Sequence, residues 1–152
     1  MKEISINELR SETAIAEAIS LVWNVFLKYE VPDYTQEGID EFYKSIHDKE
    51  YLNMLTIYAA YQEDKMVGVI ATRSAGTHIA LFFVEENHHR QGIGKKLFEV
   101  VSKQNESEFI TVNASPYAVP VYHKLGFHDT DTQQEVNGLK FVPMQMEALF
   151  RQ

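Results

Sequence analysis

The 152-residue sequence contains no cysteine. This absence excludes disulfide bonds, zinc sites with thiolate ligands and a covalent acyl intermediate on a cysteine sulfur. The sequence also lacks an apolar run long enough to span a membrane, a secretory signal pattern, internal repeats and low-complexity segments. We therefore expect one domain over residues 1–152, located in the cytoplasm and large enough to bury a real core.

Basic residues do not outnumber acidic ones either. The net charge is −8, whereas a nucleic-acid partner requires a basic surface. Residues 1–64 hold 13 acidic and 5 basic side chains, so they carry the whole excess, while residues 65–152 hold 9 of each. An acidic half beside a cleft would attract a cationic substrate, although a surface kept negative for solubility explains the excess equally simply. We expect neither nucleic acid nor a membrane as partner.

Glycine is scarce, yet two of the seven glycines stand together in Gly92-Ile93-Gly94. An apolar run over residues 79–84 precedes them, and the spacing of Ile93 and Leu97 behind them predicts one face of a helix. This order indicates a strand, a glycine-rich turn and a helix. Free N–H groups at a helix start favour an anion, so we expect an anion-binding turn. A tight turn without any ligand remains the alternative.

Two common phosphate motifs do not fit this turn. Leu97 occupies the third glycine position of the dinucleotide fingerprint, and His89 and Lys96 break the phosphate-loop pattern. The segment from His89 to Gly94 instead resembles the Q/R-x-x-G-x-G/A turn of the GNAT superfamily of N-acetyltransferases. His89 stands where that pattern has Gln or Arg. We therefore expect the side chain to contribute less to anion binding, whereas the contribution of the backbone N–H groups is intact.

The order of the predicted elements agrees with that resemblance. Helix signals include an N-cap at Ser11, another at Thr35, and Val31-Pro32 as the end of the first helix. The order is β-α-α-β-β-β-α-β-α-β-β, which is an α/β fold with a mixed central sheet of about seven strands and four helices. The expected strands cover residues 2–6, 55–61, 66–72, 79–84, 109–114, 127–135 and 141–149. Of the four expected helices, one follows Ser11, one follows Thr35, and the other two cover residues 93–106 and 118–125.

A second motif lies near the end of the chain. Asn113 ends a predicted strand, and Tyr122, Gly126 and Phe127 follow with the spacing Tyr-x-x-x-Gly-Phe, which resembles the pattern of prokaryotic GNAT members. Residues 137–144 also look like the closing hairpin of small bacterial members. The resemblance covers nearly the whole chain and is weakest over residues 10–50.

The resemblance implies acetyl-CoA as donor substrate, with its pyrophosphate on the glycine turn and its pantetheine arm along the end of the fourth strand. It implies Tyr122 as the acid that protonates the leaving sulfur, because a phenol stays protonated at neutral pH. A core aromatic role is the alternative for Tyr122. The residues expected to contact the donor are Phe82, Phe83, Val84, His89, Arg90, Gln91, Gly92, Ile93, Gly94, Lys95, Asn113 and Tyr122.

The proton acceptor and the amine pocket are less well defined. His78 occupies the place on the fourth strand where histone-type members carry a glutamate, so it is the candidate base, with Glu37 as rival. Tyr34 and Glu37 are the candidate acceptor-binding residues, with Glu30 and Trp23 behind them. A hydrophobic staple and a favourable helix dipole would explain Tyr34 and Glu37 without any ligand.

The predicted function is transfer of an acetyl group from acetyl-CoA to a primary amine of a small molecule or peptide. A catalytically idle acetyl-CoA sensor or scaffold is the alternative, and a transferase of longer acyl groups is a third. No metal is expected, because adjacent His88 and His89 do not form a metal-binding pattern. The sequence leaves open whether the protein acts as a monomer or a homodimer.

Overall fold

A mixed β-sheet of eight strands organises the protein in a computed structural model, which describes residues 3–85 and 92–147. The strand order across the sheet is β1-β2-β3-β4-β5-β8-β6, and β7 pairs with β8. The strands are β1 (Ile4–Glu8), β2 (Thr56–Gln62), β3 (Lys65–Arg73), β4 (His78–Val84), β5 (Phe109–Ala114), β6 (His128–Asp129), β7 (Gln134–Val136) and β8 (Leu139–Glu147). The α-helices are α1 (Glu12–Tyr29), α2 (Gln36–Ile46), α3 (Lys49–Asn53), α4 (Ile93–Gln104) and α5 (Val119–Leu125).

The first two helices begin at the predicted caps. The Ser11 side chain accepts a hydrogen bond from the Ala14 amide at 3.1 Å, and Thr35 accepts one from the Gly38 amide at 3.3 Å. Each bond satisfies a helix-end donor that has no partner within the helix. Helix α1 ends just before a short 3₁₀ helix at Val31–Asp33, whose proline cannot continue the helix.

Two tight turns connect neighbouring antiparallel strands. Glu63 and Asp64 join β2 to β3 with φ of 53° and 65°, and Asn137 and Gly138 join β7 to β8 with φ of 53° and 81°. Positive φ at both central residues is the type I′ geometry, whose twist matches that of the flanking strands. The second turn opens the segment 137–144, which the sequence predicted as a closing hairpin.

The sheet is covered on both faces. Helices α1 and α2 pack on one face, over a core that includes Phe26, Val69 and Leu81. Helices α4 and α5 pack on the other face, over a core that includes Leu97 and Ile110. The functional residues described below lie between these two layers, where the sheet opens.

Strands β4 and β5 are parallel neighbours that separate soon after they meet. They pair only at His78 with Thr111 and at Ile79 with Val112, although β4 continues to Val84 and β5 to Ala114. Beyond Ile79 the edge of β4 that faces β5 is therefore not paired with that strand. A gap opens in the middle of the sheet at this point.

The structure differs from the predicted fold in two details. The one strand expected over residues 127–135 is two short strands, β6 and β7, because the polar segment between them leaves the sheet. Helix α3, capped by Asp48, was not predicted, so the described residues hold eight strands and five α-helices rather than about seven and four. No helix within residues 3–85 and 92–147 is both long and apolar enough to cross a membrane.

Candidate active site

Two cavities meet at the gap between β4 and β5. The first, here called the α4-side cavity, has a volume of about 420 Å³ and is bounded by Val84, Gly94, Tyr117 and Lys124. The second, here called the α2-side cavity, has a volume of about 320 Å³ and lies under α2 and the β7–β8 hairpin. The residues that line both cavities are Glu30, Phe82, Phe83, Ala118 and Tyr122. These shared residues form a common wall across which two substrates could meet.

The glycine turn lies beside the α4-side cavity. Gly92 is the N-cap of α4 with φ of 78°, a left-handed conformation that favours glycine. No heavy atom of the part of the chain that the structure describes lies within 4 Å of a Cβ built on Gly92. The first N–H groups of α4 have no partner within the helix, so they can bind an anion at the N-terminus of α4. Ile93 is 1% exposed, so only its backbone can take part.

Gly94 keeps the α4-side cavity open at its narrowest side. A Cβ built on Gly94 would lie 3.5 Å from the ring of Phe82 and 3.8 Å from the side chain of Val84. Any larger side chain would therefore project into the space between α4 and β4. The glycine at this position leaves room for a ligand that runs from the start of α4 along β4.

Tyr122 stands in the common wall and is buried. Its ring makes edge contacts with Phe82 and Phe127, at centroid distances of 6.0 and 5.2 Å. Burial raises the pKa of its phenol far above the ordinary value, and the Glu30 carboxylate raises it further. The phenol is thus protonated at neutral pH and carries a proton that it can donate.

Glu30 is the buried carboxylate of the common wall, with 9% of its surface exposed. Burial raises its pKa to about 7, while a hydrogen bond from the Ser115 hydroxyl lowers the pKa, Asp33 raises it and Tyr34 lowers it. The Tyr34 hydroxyl bonds to both Ser115 and Glu30, so the three side chains form one cluster, here called the Glu30 cluster. A carboxylate with this pKa can take up and release a proton near neutral pH.

An aromatic stack packs against Tyr34 of the Glu30 cluster. The Tyr34 ring stacks on Phe26 at 5.5 Å, and Phe26 stacks on Phe42 at 4.1 Å and on Trp23 at 5.5 Å. Because Phe26 is fully buried, the stack fixes the Tyr34 ring and with it the hydroxyl that bonds Glu30. Trp23 lies outside both cavities and acts through this packing.

The candidate bases from the sequence lie elsewhere. His78 starts β4 and does not line either cavity; its Nδ1 lies 2.8 Å from the Thr111 hydroxyl. Burial and then Arg73 lower the pKa of His78 to about 4, so its ring is neutral at pH 7 and a weak proton acceptor. Glu37 is exposed in the first turn of α2 and also lies outside both cavities. Tyr34 lines the α2-side cavity.

The predicted donor-binding residues divide into three groups. Phe82, Phe83, Val84, Gly94 and Tyr122 line the α4-side cavity, and Gly92, Ile93 and Lys95 stand at the start of α4 beside it. Asn113 lines the α2-side cavity instead. His88, His89, Arg90 and Gln91 lie outside the described residues. Within the described residues no group of three or more His, Asp or Glu is placed to hold a metal ion.

The sequence analysis named Glu30 only behind Tyr34 and Glu37 as an acceptor-binding residue, and it did not name Ser115. Nothing local marks Glu30 as buried, because a glutamate before Val31-Pro32 is typical of an exposed helix end. Its burial depends on Ser115, which follows the end of β5 and reaches Glu30 only in the folded chain. The nearest signal was the position of Ser115 directly after the Asn113–Ala114 strand end of the second motif.

Comparisons with known proteins agree with this architecture. A GCN5-related N-acetyltransferase from Rhodopseudomonas palustris has a TM-score of 0.81 and 17% identity, over 97% of this chain and 97% of its own. The PaiA N-acetyltransferase from Thermoplasma acidophilum, solved in complex with coenzyme A, has a TM-score of 0.75 and 19% identity, over 95% and 99%. An aminoglycoside 6'-N-acetyltransferase complexed with coenzyme A has a TM-score of 0.67 and 14% identity, over 97% and 99%. At such identities these structures show a shared fold.

The sequence itself decides the family. No curated protein matches the chain. Residues 30–148, however, match the family model described as the acetyltransferase (GNAT) domain, and this range includes the glycine turn, Tyr122 and the Glu30 cluster. The chain therefore belongs to the GNAT family of acetyltransferases.

Proposed function

We propose that this enzyme transfers an acetyl group from acetyl-CoA directly to a primary amine. The donor would lie in the α4-side cavity and the amine in the α2-side cavity. The observation that carries the proposal is the common wall, where one buried phenol and one buried carboxylate stand between the two cavities. Direct transfer between two bound substrates needs such a meeting point.

The donor side offers backbone groups together with nearby lysine side chains. Over residues 80–83 the edge of β4 is not paired with β5, so N–H and C=O groups there can bond an extended amide chain as an added strand does. The N–H groups at the start of α4 can hold a diphosphate, close to Lys95 and Lys96. The coenzyme A complexes of two proteins of the same fold support this assignment.

The two polar residues of the wall suit the two proton transfers of the reaction. As the amine nitrogen forms a bond to the acetyl carbon and the carbon–sulfur bond breaks, one proton must leave the amine and one must reach the thiolate. We assign the first transfer to the Glu30 carboxylate, whose pKa of about 7 matches the working pH. We assign the second to the Tyr122 phenol. Glu30 then holds a proton and Tyr122 is a phenolate, and passage of that proton from Glu30 to Tyr122 across the common wall restores both groups, so atoms and charge balance without a covalent enzyme intermediate.

The Tyr122→Phe variant tests the proposal. It should bind coenzyme A as the wild type does, measured by calorimetry, and should lose about 100-fold in kcat towards a panel of primary amines. Tyr43→Phe, an exposed tyrosine on α2 outside both cavities, is the matched control and should leave both quantities unchanged. Coenzyme A binding without turnover of any amine by the wild type would favour an idle sensor and contradict the proposal.

Three further variants identify the proton acceptor. Glu30→Gln should lower kcat/KM by about 100-fold and remove the rise in kcat/KM with pH that we expect for the wild type near pH 7. His78→Gln and Glu37→Gln, which alter the two bases suggested by the sequence, should retain that rise. If the rise persists in Glu30→Gln and disappears in either of the others, the assignment of Glu30 is wrong.

A further inference from the structure

Ser115 joins the start of α5 to the carboxylate of Glu30. It follows the last residue of β5 and is buried, with 9% of its surface exposed. Its hydroxyl oxygen accepts a hydrogen bond from the Ala118 amide at 3.3 Å, and its carbonyl oxygen accepts one from the same amide at 2.9 Å. Its hydroxyl group also bonds to Glu30. One small side chain therefore contacts both a helix start and a buried carboxylate.

Tyr122 lies one turn further along α5. Its amide donates a hydrogen bond to the Ala118 carbonyl at 3.1 Å, so the backbone of Tyr122 is held by the residue whose amide bonds to Ser115. Ser115, Glu30 and Tyr122 all line the α2-side cavity. Ser115 thus links the group assigned to accept the amine proton to the helix that carries the group assigned to protonate the thiolate.

The hydroxyl proton of Ser115 is directed to Glu30. A serine hydroxyl donates one hydrogen bond and can accept two. The Ala118 amide can only donate, so the Ser115 oxygen is the acceptor there, and the proton of the hydroxyl group remains for the carboxylate. A hydrogen bond donated to a carboxylate stabilises its ionised form. Burial raises the pKa of Glu30, and Ser115 lowers it more strongly than Tyr34 does.

The other charged and titratable groups near Glu30 do not replace Ser115. Asp33 raises the pKa of Glu30, and among the described residues the interactions that lower it are the hydrogen bonds of Ser115 and Tyr34. The phenols whose own pKa is raised by burial and then by Glu30 are Tyr117 and Tyr122. The other charged residues that line the two cavities are Glu41, Lys124 and Lys140, and none of them shifts the pKa of Glu30.

We propose that Ser115 is a positioning residue, whose hydroxyl group keeps the Glu30 carboxylate ionised and fixed to the helix that carries Tyr122. This inference rests on the proposed function, because it concerns the proton acceptor assigned there. Without the hydroxyl group Glu30 would keep its own proton to a higher pH, and it could not accept the amine proton at neutral pH.

The pH profile of Ser115→Ala tests the inference. Loss of one hydrogen bond to the ionised carboxylate should raise the midpoint of the kcat/KM profile by about one pH unit. At about pH 6 kcat/KM should then be about tenfold below that of the wild type, and above both midpoints the ratio should approach one. The same amine is used for all variants, so its own titration affects each profile equally.

A second measurement follows Glu30 itself. The chemical shift of its carboxyl carbon, titrated by NMR in the protein without substrates, reports the protonation of Glu30 independently of turnover. We expect the midpoint of this titration to rise by about one pH unit in Ser115→Ala as well.

Two control variants separate this effect from the loss of a helix cap. Ser11→Ala removes a hydroxyl group that accepts the amide of the residue three positions later, as Ser115 does, but Ser11 lies outside both cavities. Its midpoints should equal those of the wild type. Ser115→Thr keeps the hydroxyl group and should restore the wild-type midpoints. If Ser115→Ala does not fold, Ser115→Cys replaces it, because a thiol is a much weaker donor and should also raise both midpoints.

The outcomes distinguish this inference from the proposed function. A folded Ser115→Ala protein with the NMR midpoint of the wild type would overturn the inference and leave the proposed function intact. Equal midpoints in Ser115→Ala and Ser115→Thr, both raised, would also overturn it, since the hydroxyl group would not be the cause. A midpoint that rises in the NMR titration but not in kcat/KM would show that Glu30 is not the proton acceptor, and would overturn that assignment and the inference together.

Discussion

Replacing Glu30 by Gln should change how stability depends on pH. The substitution keeps the shape of the side chain and removes its charge. The pKa of Glu30 is about 7 in the folded protein, whereas a glutamate in an unfolded chain has a pKa of about 4.3. Since each pKa unit corresponds to about 1.4 kcal/mol, the difference corresponds to about 4 kcal/mol in the free energy of unfolding.

The sign of the effect follows from which state holds the proton. Below about pH 4 both states are protonated at Glu30, and its favourable contribution is fully present. Between about pH 4 and about pH 7 the unfolded chain releases the proton while the folded protein keeps it. The free energy of unfolding therefore falls as pH rises through this window, and above it the contribution of Glu30 is lost.

His78 has the opposite effect over much of the same range. Its pKa is lowered to about 4 in the folded protein, against about 6.5 in an unfolded chain. The unfolded state therefore takes up a proton first as pH falls, and stability from this residue rises with pH. In the wild type Glu30 and His78 therefore change the free energy of unfolding with pH in opposite directions. Only the difference between wild type and Glu30→Gln isolates the contribution of Glu30.

Urea unfolding at several pH values between about 4 and about 9 measures that difference. The stability of Glu30→Gln relative to wild type should increase by about 4 kcal/mol from the acidic to the basic end. Glu37→Gln, at an exposed glutamate of α2, is the control for simple removal of a carboxylate. A difference that stays constant with pH, or that decreases, would refute the argument that burial raises the pKa of Glu30.

Three other predictions concern the donor cavity, the core and His78. Gly94→Leu should weaken coenzyme A binding about tenfold or more in calorimetry, because the side chain would fill the space beside Phe82; unchanged affinity would count against the donor assignment. Phe26→Ala should lower the free energy of unfolding in urea by about 3–5 kcal/mol, since it removes the centre of the aromatic stack; a loss under about 1 kcal/mol would contradict that role. His78→Gln should become more stable relative to wild type as pH falls from about 6.5 towards about 4, because the buried ring resists protonation, and a pH-independent difference in melting temperature would argue otherwise.

The elements that depend on local signals were predicted well. Ser11 and Thr35 cap their helices because the capping bond reaches only three residues along the chain. The Asn137-Gly138 turn follows from the need for positive φ at both positions. Strand β5 has the predicted bounds, Phe109–Ala114, because its burial alternates clearly along the chain.

The elements that depend on distant contacts were predicted poorly. Helix α3 is a single capped turn whose five residues carry too short a pattern to be recognised. The burial of Glu30 arises from Tyr34 and Ser115 together, and a pattern in the neighbourhood of Glu30 cannot reveal Ser115. A Cβ built on Gly38 would lie 2.6 Å from the carbonyl carbon of Gly138, and because these two glycines are a hundred positions apart, the sequence could not predict their close approach.

The brief pairing of β4 with β5 has a consequence for how the protein folds. Strands β2, β3 and β4 follow one another as hairpins, and β8 unites β5, β6 and β7 on the other side, so each half has a backbone network of its own. The halves are joined in the sheet by two residue pairs alone, formed between segments about thirty residues apart. Parallel pairing requires a long loop to close first. Each half of the sheet can therefore form before β4 pairs with β5.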